Sequence, residues 1–265
     1  MTRFALLKTT SSLAFALSAL PLAAQADMLL WSDSSLSYLN GTDYKVDGKT
    51  QQTITFEHAS GWSWGDVFLF VDNKWVNGEH GSDGYSYYGE FSPRLSLGKI
   101  SDSKLAWGPI KDVLIAATYE RGKDRNRKYL LGPALDLTIP GFDRFSLNTY
   151  YRKPDGITGK ASGQWQINPT WAMTIPLGPS DILFDGYLEW FVNDVGTKGT
   201  SDYVASSLHF NPQIKYDMGK AFGGQAKTFY AGVEYDYWSD KYGIEDSKGF
   251  PTDQSAISLL LKAHF

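Results

Sequence analysis

The last eleven residues, Ser255 to Phe265, alternate without a break. Ile257, Leu259, Leu261, Ala263 and Phe265 share one face, and Ser258, Leu260, Lys262 and His264 share the other. Successive side chains of a strand point to opposite sides, so this segment has one apolar face and one mostly polar face. A strand standing between lipid and a wet lumen needs that division. A last strand running to the terminal aromatic Phe265 fits a sheet sealed by its final residues. The expected fold is all-β, a transmembrane antiparallel β-barrel.

The start of the chain points to export. Arg3 and Lys8 precede the apolar stretch Leu13 to Leu22, and Ala24-Gln25-Ala26 has the small-x-small form of a cleavage site. A cleaved signal peptide over residues 1–26 and a barrel over residues 27–265 are expected. The apolar stretch falls short of the about 20 residues of a spanning helix. Later apolar runs are broken by charged, Gly or Pro residues, and without spanning helices only a closed barrel crosses a membrane. Removing the leader leaves 265 − 26 = 239 residues. At about 9–11 residues per strand, that length suits about 12 strands with their connections.

Turn signals divide this stretch into candidate strands at 33–40, 50–59, 65–73, 86–97, 112–121, 128–139, 143–153, 161–170, 182–192, 204–217, 227–238 and 255–265. An even number fits a bacterial single-chain barrel. Segments 72–86 and 239–254 read as long loops, which belong on the extracellular side. Aromatic residues make up 15% of the chain and gather at strand ends, where interfacial girdles lie. A soluble sandwich or lipocalin-like barrel also alternates, but the closing strand, the aromatic girdles and the even segmentation favour the membrane barrel.

Several function classes are disfavoured at once. The chain has no cysteine, which removes disulfides, Cys-ligated metals and thiol nucleophiles. A net charge of −4 with no basic stripe gives no support for nucleic-acid binding. Neither a metal cluster nor a cofactor motif is evident. Of the four histidines, His209 is predicted to face inward near serines, but no spacing supplies the third member of a hydrolytic site. A hydrolase is disfavoured.

The predicted inward face mixes acids (Glu57, Asp66, Glu90, Glu120, Asp136, Glu189) with bases (Arg94, Lys128, Arg144, Arg152, Lys215, Lys262) and the aromatics Phe68, Phe70, Tyr88, Tyr150 and Tyr187. Rings can stack a planar solute while carboxylates accept hydroxyl protons and arginines donate to carbonyls. The same charges can also simply neutralise one another across the lumen, and the rings can be filler.

Particular runs carry a family resemblance. Phe91-Ser92-Pro93-Arg94-Leu95-Ser96-Leu97, Leu105-Ala106-Trp107-Gly108-Pro109-Ile110-Lys111 and Tyr119-Glu120-Arg121-Gly122-Lys123-Asp124 resemble the nucleoside-specific channel (Tsx) and OmpK-like outer-membrane proteins. Thr55-Phe56-Glu57-His58-Ala59-Ser60-Gly61-Trp62 and Tyr237-Trp238-Ser239-Asp240-Lys241-Tyr242-Gly243 are similar to the OmpK branch. The resemblance implies a monomeric twelve-stranded barrel in the Gram-negative outer membrane, forming a narrow channel for passive diffusion of nucleosides or similar small solutes. It also implies external loops that serve phage or bacteriocin attachment. Matched by motif, Glu57, Asp66, Phe68, Glu90 and Arg94 become candidate lumen contacts. Phe70 joins them as a second stacking ring, with Arg94 expected to orient carbonyls. The competing reading is a surface receptor or structural barrel without selective transport.

Overall fold

A computed structural model describes residues 28–77, 84–123, 126–155 and 159–265. The leader expected over 1–26 lies outside the described residues, as do Gly78, Gly81 and Ser82 of the first long loop. Twelve strands run as β1 (Leu29–Thr42), β2 (Thr50–Trp62), β3 (Gly65–Val76), β4 (Tyr85–Ser96), β5 (Ile110–Gly122) and β6 (Arg127–Leu137). They continue as β7 (Arg144–Pro154), β8 (Gln164–Leu177), β9 (Ser180–Phe191), β10 (Ser207–Asp217), β11 (Phe229–Ser239) and β12 (Gln254–His264). Each pairs antiparallel with its sequence neighbours, and β1 pairs with β12 to close the barrel. Closure satisfies the edge groups that an open sheet would leave bare in lipid.

The alternation sets the faces all the way round. In β12, Gln254, Ala256, Ser258, Leu260 and Lys262 are buried, while Ile257, Leu259 and Leu261 are exposed to the outside. Outward aromatics pair across strands near one end: Trp75 with Tyr85, Tyr119 with Tyr129, and Tyr151 with Trp165. Their ring centroids lie 6.0, 5.3 and 5.5 Å apart. Such a belt is what an interface between headgroups and hydrocarbon selects. At this end lie the connections 43–49, 192–206 and 240–253, together with the strand ends Val76, Tyr85, Gly122, Arg127, Pro154 and Gln164. At the other, β2–β3 and β8–β9 turn within two residues. Short turns mark the periplasmic end and long loops the extracellular one. Two periplasmic connections hold single helical turns, α1 (Leu97–Ile100), capped by the Ser96 hydroxyl, and α2 (Met218–Ala221), capped by the Asp217 carboxylate.

Four strands contain an internal proline, and each leaves the ladder open on one side. Pro93 in β4, Pro133 in β6, Pro169 in β8 and Pro212 in β10 pair normally with the preceding strand. On the following strand the register skips two positions around each of them. Proline has no N–H to donate, so one neighbour loses its partner. Beside Pro169, the Asn168 side-chain amide donates to the Leu188 carbonyl at 2.7 Å and stands in for the missing bond. The eighth segment, expected over 161–170, begins at Gln164 and runs on to Leu177 before turning at Gly178 (φ +59°). Asn73, where the expected third segment and the first long loop overlap, belongs to β3, which runs on to Val76.

The interior is partly filled. Leu114, Ala116, Leu130, Ala134 and Tyr150 form an apolar cluster on the inner side of β5–β7. Gly232 on β11 admits close approach of β10, because a Cβ there would sit 2.1 Å from the Ile214 carbonyl oxygen. The channel interior is therefore narrowed by side chains.

Candidate solute-binding wall in the lumen

The six residues singled out from the sequence stand together on β2, β3 and β4. Glu57, Phe70 and Glu90 form one row across the three strands. Asp66 and Arg94 are direct partners at the periplasmic end, and Phe68 lies between the two rows. All six point into the lumen, as the period of two requires once Asp66 and Arg94 are fixed inside.

Their surroundings divide them. The Arg94 fork donates from Nε and Nη2 to Asp66 at 2.8 Å each, and from Nη1 to Asp136 at 2.9 Å. Asp136 also accepts from the Ser146 hydroxyl at 2.7 Å. Most donors of Arg94 are thus spent on this carboxylate clamp, which ties β3, β4, β6 and β7 together. Glu57 is held by Lys262 and accepts from Ser35 at 3.2 Å, which fastens the seam between β1, β2 and β12.

Phe68, Phe70 and Glu90 are freer. The Phe68 ring is 37% exposed although it faces inward. It lies 6.0 Å from Phe70, which lies 5.9 Å from Tyr88. The Tyr88 hydroxyl donates to Glu90 at 2.7 Å. Three rings thus form a climbing surface, with the Glu90 carboxylate level with Phe70 and below Tyr88. Glu90 faces Glu120 across β4–β5, but Glu120 is taken by Arg152 at 2.8 Å and Lys128 at 3.2 Å. Chemically, this wall offers ring faces for stacking and a carboxylate to accept hydroxyl or amine protons.

The opposite wall holds residues that the sequence placed inward without assigning them to a site. His209 bridges Glu189 at 3.2 Å and Asp236 at 3.1 Å, and its ring stacks on Trp238 at 3.9 Å. Tyr187 meets His209 edge-on at 5.1 Å. Above them the loops form a cap that sequence spacing could not reveal. Lys241 donates to Gln254 at 2.7 Å and to the Lys45 carbonyl at 3.0 Å. Tyr242 donates to Asp47 at 2.7 Å, and Gly243 (φ +72°) accepts from the Ala205 N–H at 2.9 Å. Contacts between residues 45 and 241 carry no local signal.

Comparison with known proteins agrees with the barrel. The chain is 23% identical over 256 residues to the outer membrane protein OmpK of Vibrio parahaemolyticus, spanning 86% of this chain and 90% of that one. Among solved structures, the KdgM porin in complex with disordered oligogalacturonate is similar, with a TM-score of 0.48, 11% identity, and coverage of 87% of this chain and 99% of that one. The Acinetobacter baumannii outer membrane protein Omp33 is similar with a TM-score of 0.38, 10% identity, and coverage of 90% and 99%. The protein is an outer-membrane barrel of the channel-forming type. Residues 27–265 match the family described as "Nucleoside-specific channel-forming protein, Tsx", and the chain belongs to that family.

Proposed function

We propose that the barrel is a narrow channel for passive, selective diffusion of nucleosides. The observation that carries this reading is the run of lumen rings Phe68, Phe70 and Tyr88 with the Glu90 carboxylate beside it. A nucleoside is a flat ring joined to a polyhydroxylated sugar. The rings accept its base by stacking and Glu90 accepts its hydroxyl or amine protons, while Glu57 and Asp66 offer their remaining lone pairs. The clamp around Arg94 shapes the pore below them. Binding is weak, because a site that holds its solute tightly cannot release it across the pore. The leader over residues 1–26 is removed on export, and a single barrel suffices to form the channel.

The test is single-channel current from the purified protein in planar bilayers, with adenosine, thymidine and glucose titrated in turn. Block by the nucleosides at lower concentrations than glucose is expected. Equal block by all three, or none, would leave the barrel standing and sink the selective channel.

A second reading rests on the extracellular cap, where the connections 43–49, 192–206 and 240–253 are bonded into one platform. A fixed polar platform suits attachment of a phage or bacteriocin, and it coexists with transport. Deleting 244–250 should then abolish adsorption while solute block persists.

A further inference from the structure

Arg144 opens β7 at the periplasmic end of the lumen, two residues before the buried Ser146 on the same inner face. Its side chain is exposed to lumen water, and it has no hydrogen bond or ion pair within 4 Å among the described residues. It nevertheless sits amid charges from four strands: Asp66 on β3, Arg94 on β4, Asp136 on β6 and Asp185 on β9. Asp66 and Asp136 are already occupied by Arg94, and Asp185 by Lys215 at 2.7 Å. Between Arg144 and Asp185 the register places the small Ala172. Arg94, Arg144 and Lys215 match the three aspartates one for one in charge. Arg144 thus presents a planar fork of donors with no partner among the described residues.

We propose that Arg144 sets base preference at the periplasmic side of the pore, selecting nucleosides whose base presents two adjacent acceptors. A 6-oxopurine offers N7 and O6 to both arms of the fork, whereas adenine offers N7 beside an amino donor. The inference rests on the nucleoside reading above and assigns to Arg144 the donor role that Arg94, held by two carboxylates, leaves unfilled.

Inosine and adenosine share sugar, size and ring, and differ at the position that matters. Channel block by each is measured with the wild type, Arg144→Met and Arg144→Lys, after heat-modifiable gel mobility has shown each barrel folded. Inosine should block the wild type at concentrations about fivefold or more below adenosine, the low end for a bidentate arginine–base pair. Both variants should lose that preference while adenosine block stays nearly unchanged. Arg144→Lys is the sharper test, because it keeps the charge and removes the fork. Equal block of the wild type by both nucleosides, at concentrations lower than glucose needs, would overturn the role of Arg144 and leave the nucleoside channel intact. A preference that survives in both variants would overturn it as well. Inorganic phosphate blocking the wild type more strongly than inosine, and losing that block in Arg144→Met, would make this an anion site instead. Failure of both nucleosides to block the wild type would remove the channel reading and this inference together.

Discussion

On β9–β11, Lys215 is 1% exposed, with its ammonium between Asp185 and the Gln213 amide oxygen. On β2–β4, Phe68 lies 37% exposed inside the same lumen. The first wall uses its polar groups on itself: His209 is bracketed by two carboxylates and covered by Trp238, and Gln213 donates to Glu234 at 2.8 Å. The second wall keeps its ion pairs at its borders, at Arg94 and at Lys262, and leaves rings between them. A barrel this small needs a self-satisfied region to hold its interior, since a buried charge without a partner costs several kcal/mol. It also needs a region with unspent surface if a solute is to find anything to hold. The two requirements fall on opposite walls.

The largest effect should come from breaking the self-satisfied wall. Lys215→Met leaves Asp185 without its cation and should destabilise the barrel by about 3 kcal/mol, the low end for a broken buried pair because Asp185 keeps access to lumen water. Thermal loss of the compact, heat-modifiable form would read it. An unchanged transition would show that the wall is not what holds the interior. A smaller effect, of a different kind, is expected on the open wall. Phe68→Ala should leave thermal stability almost untouched and weaken nucleoside block about tenfold, in the lower part of the range for base–aromatic stacking. Loss of stability together with unaltered block would reverse the roles of the two walls. Pairing this change with Asp66→Ala confuses the readout, because Asp66 is half of the Arg94 clamp.

The smallest effect lies outside the membrane, in the connection 192–206. There the Ser206 N–H and the Tyr203 hydroxyl donate to Asp194, each at 2.7 Å, and hold its carboxyl below the usual value. A depressed carboxyl adds stability above its ordinary pKa of about 3.9 and loses it as pH falls through the folded value. Amide exchange at Ser206 should therefore stay slow from neutral pH down to about 4 and quicken only below that. Asp194→Asn should make it faster at neutral pH, and no change in the variant would separate this loop's order from Asp194.

How much was legible in the sequence follows from the range of each interaction. The period of two set the inner and outer faces of Ser255–Phe265, because adjacent side chains on a strand must part. The same rule in the segments 50–59, 65–73 and 86–97 put Glu57, Asp66, Phe68, Phe70, Glu90 and Arg94 on the predicted inward face. The extent of β8 was less legible, because Pro169 keeps its pairing to β7 while Asn168 fills the gap toward β9.

Pairing across the barrel was beyond that local rule. Register and closure bring Asp136 to Arg94 from 42 positions away and Lys262 to Glu57 from 205. Only those encounters decide which charges are spent and which stay open to a solute. A lipid-facing barrel with a mixed lumen can be read from the residue pattern, because side-chain direction is set by the local backbone. The tertiary structure alone decided that Arg94 is clamped and Arg144 free, because partnership depends on distances that close only when the last strand meets the first.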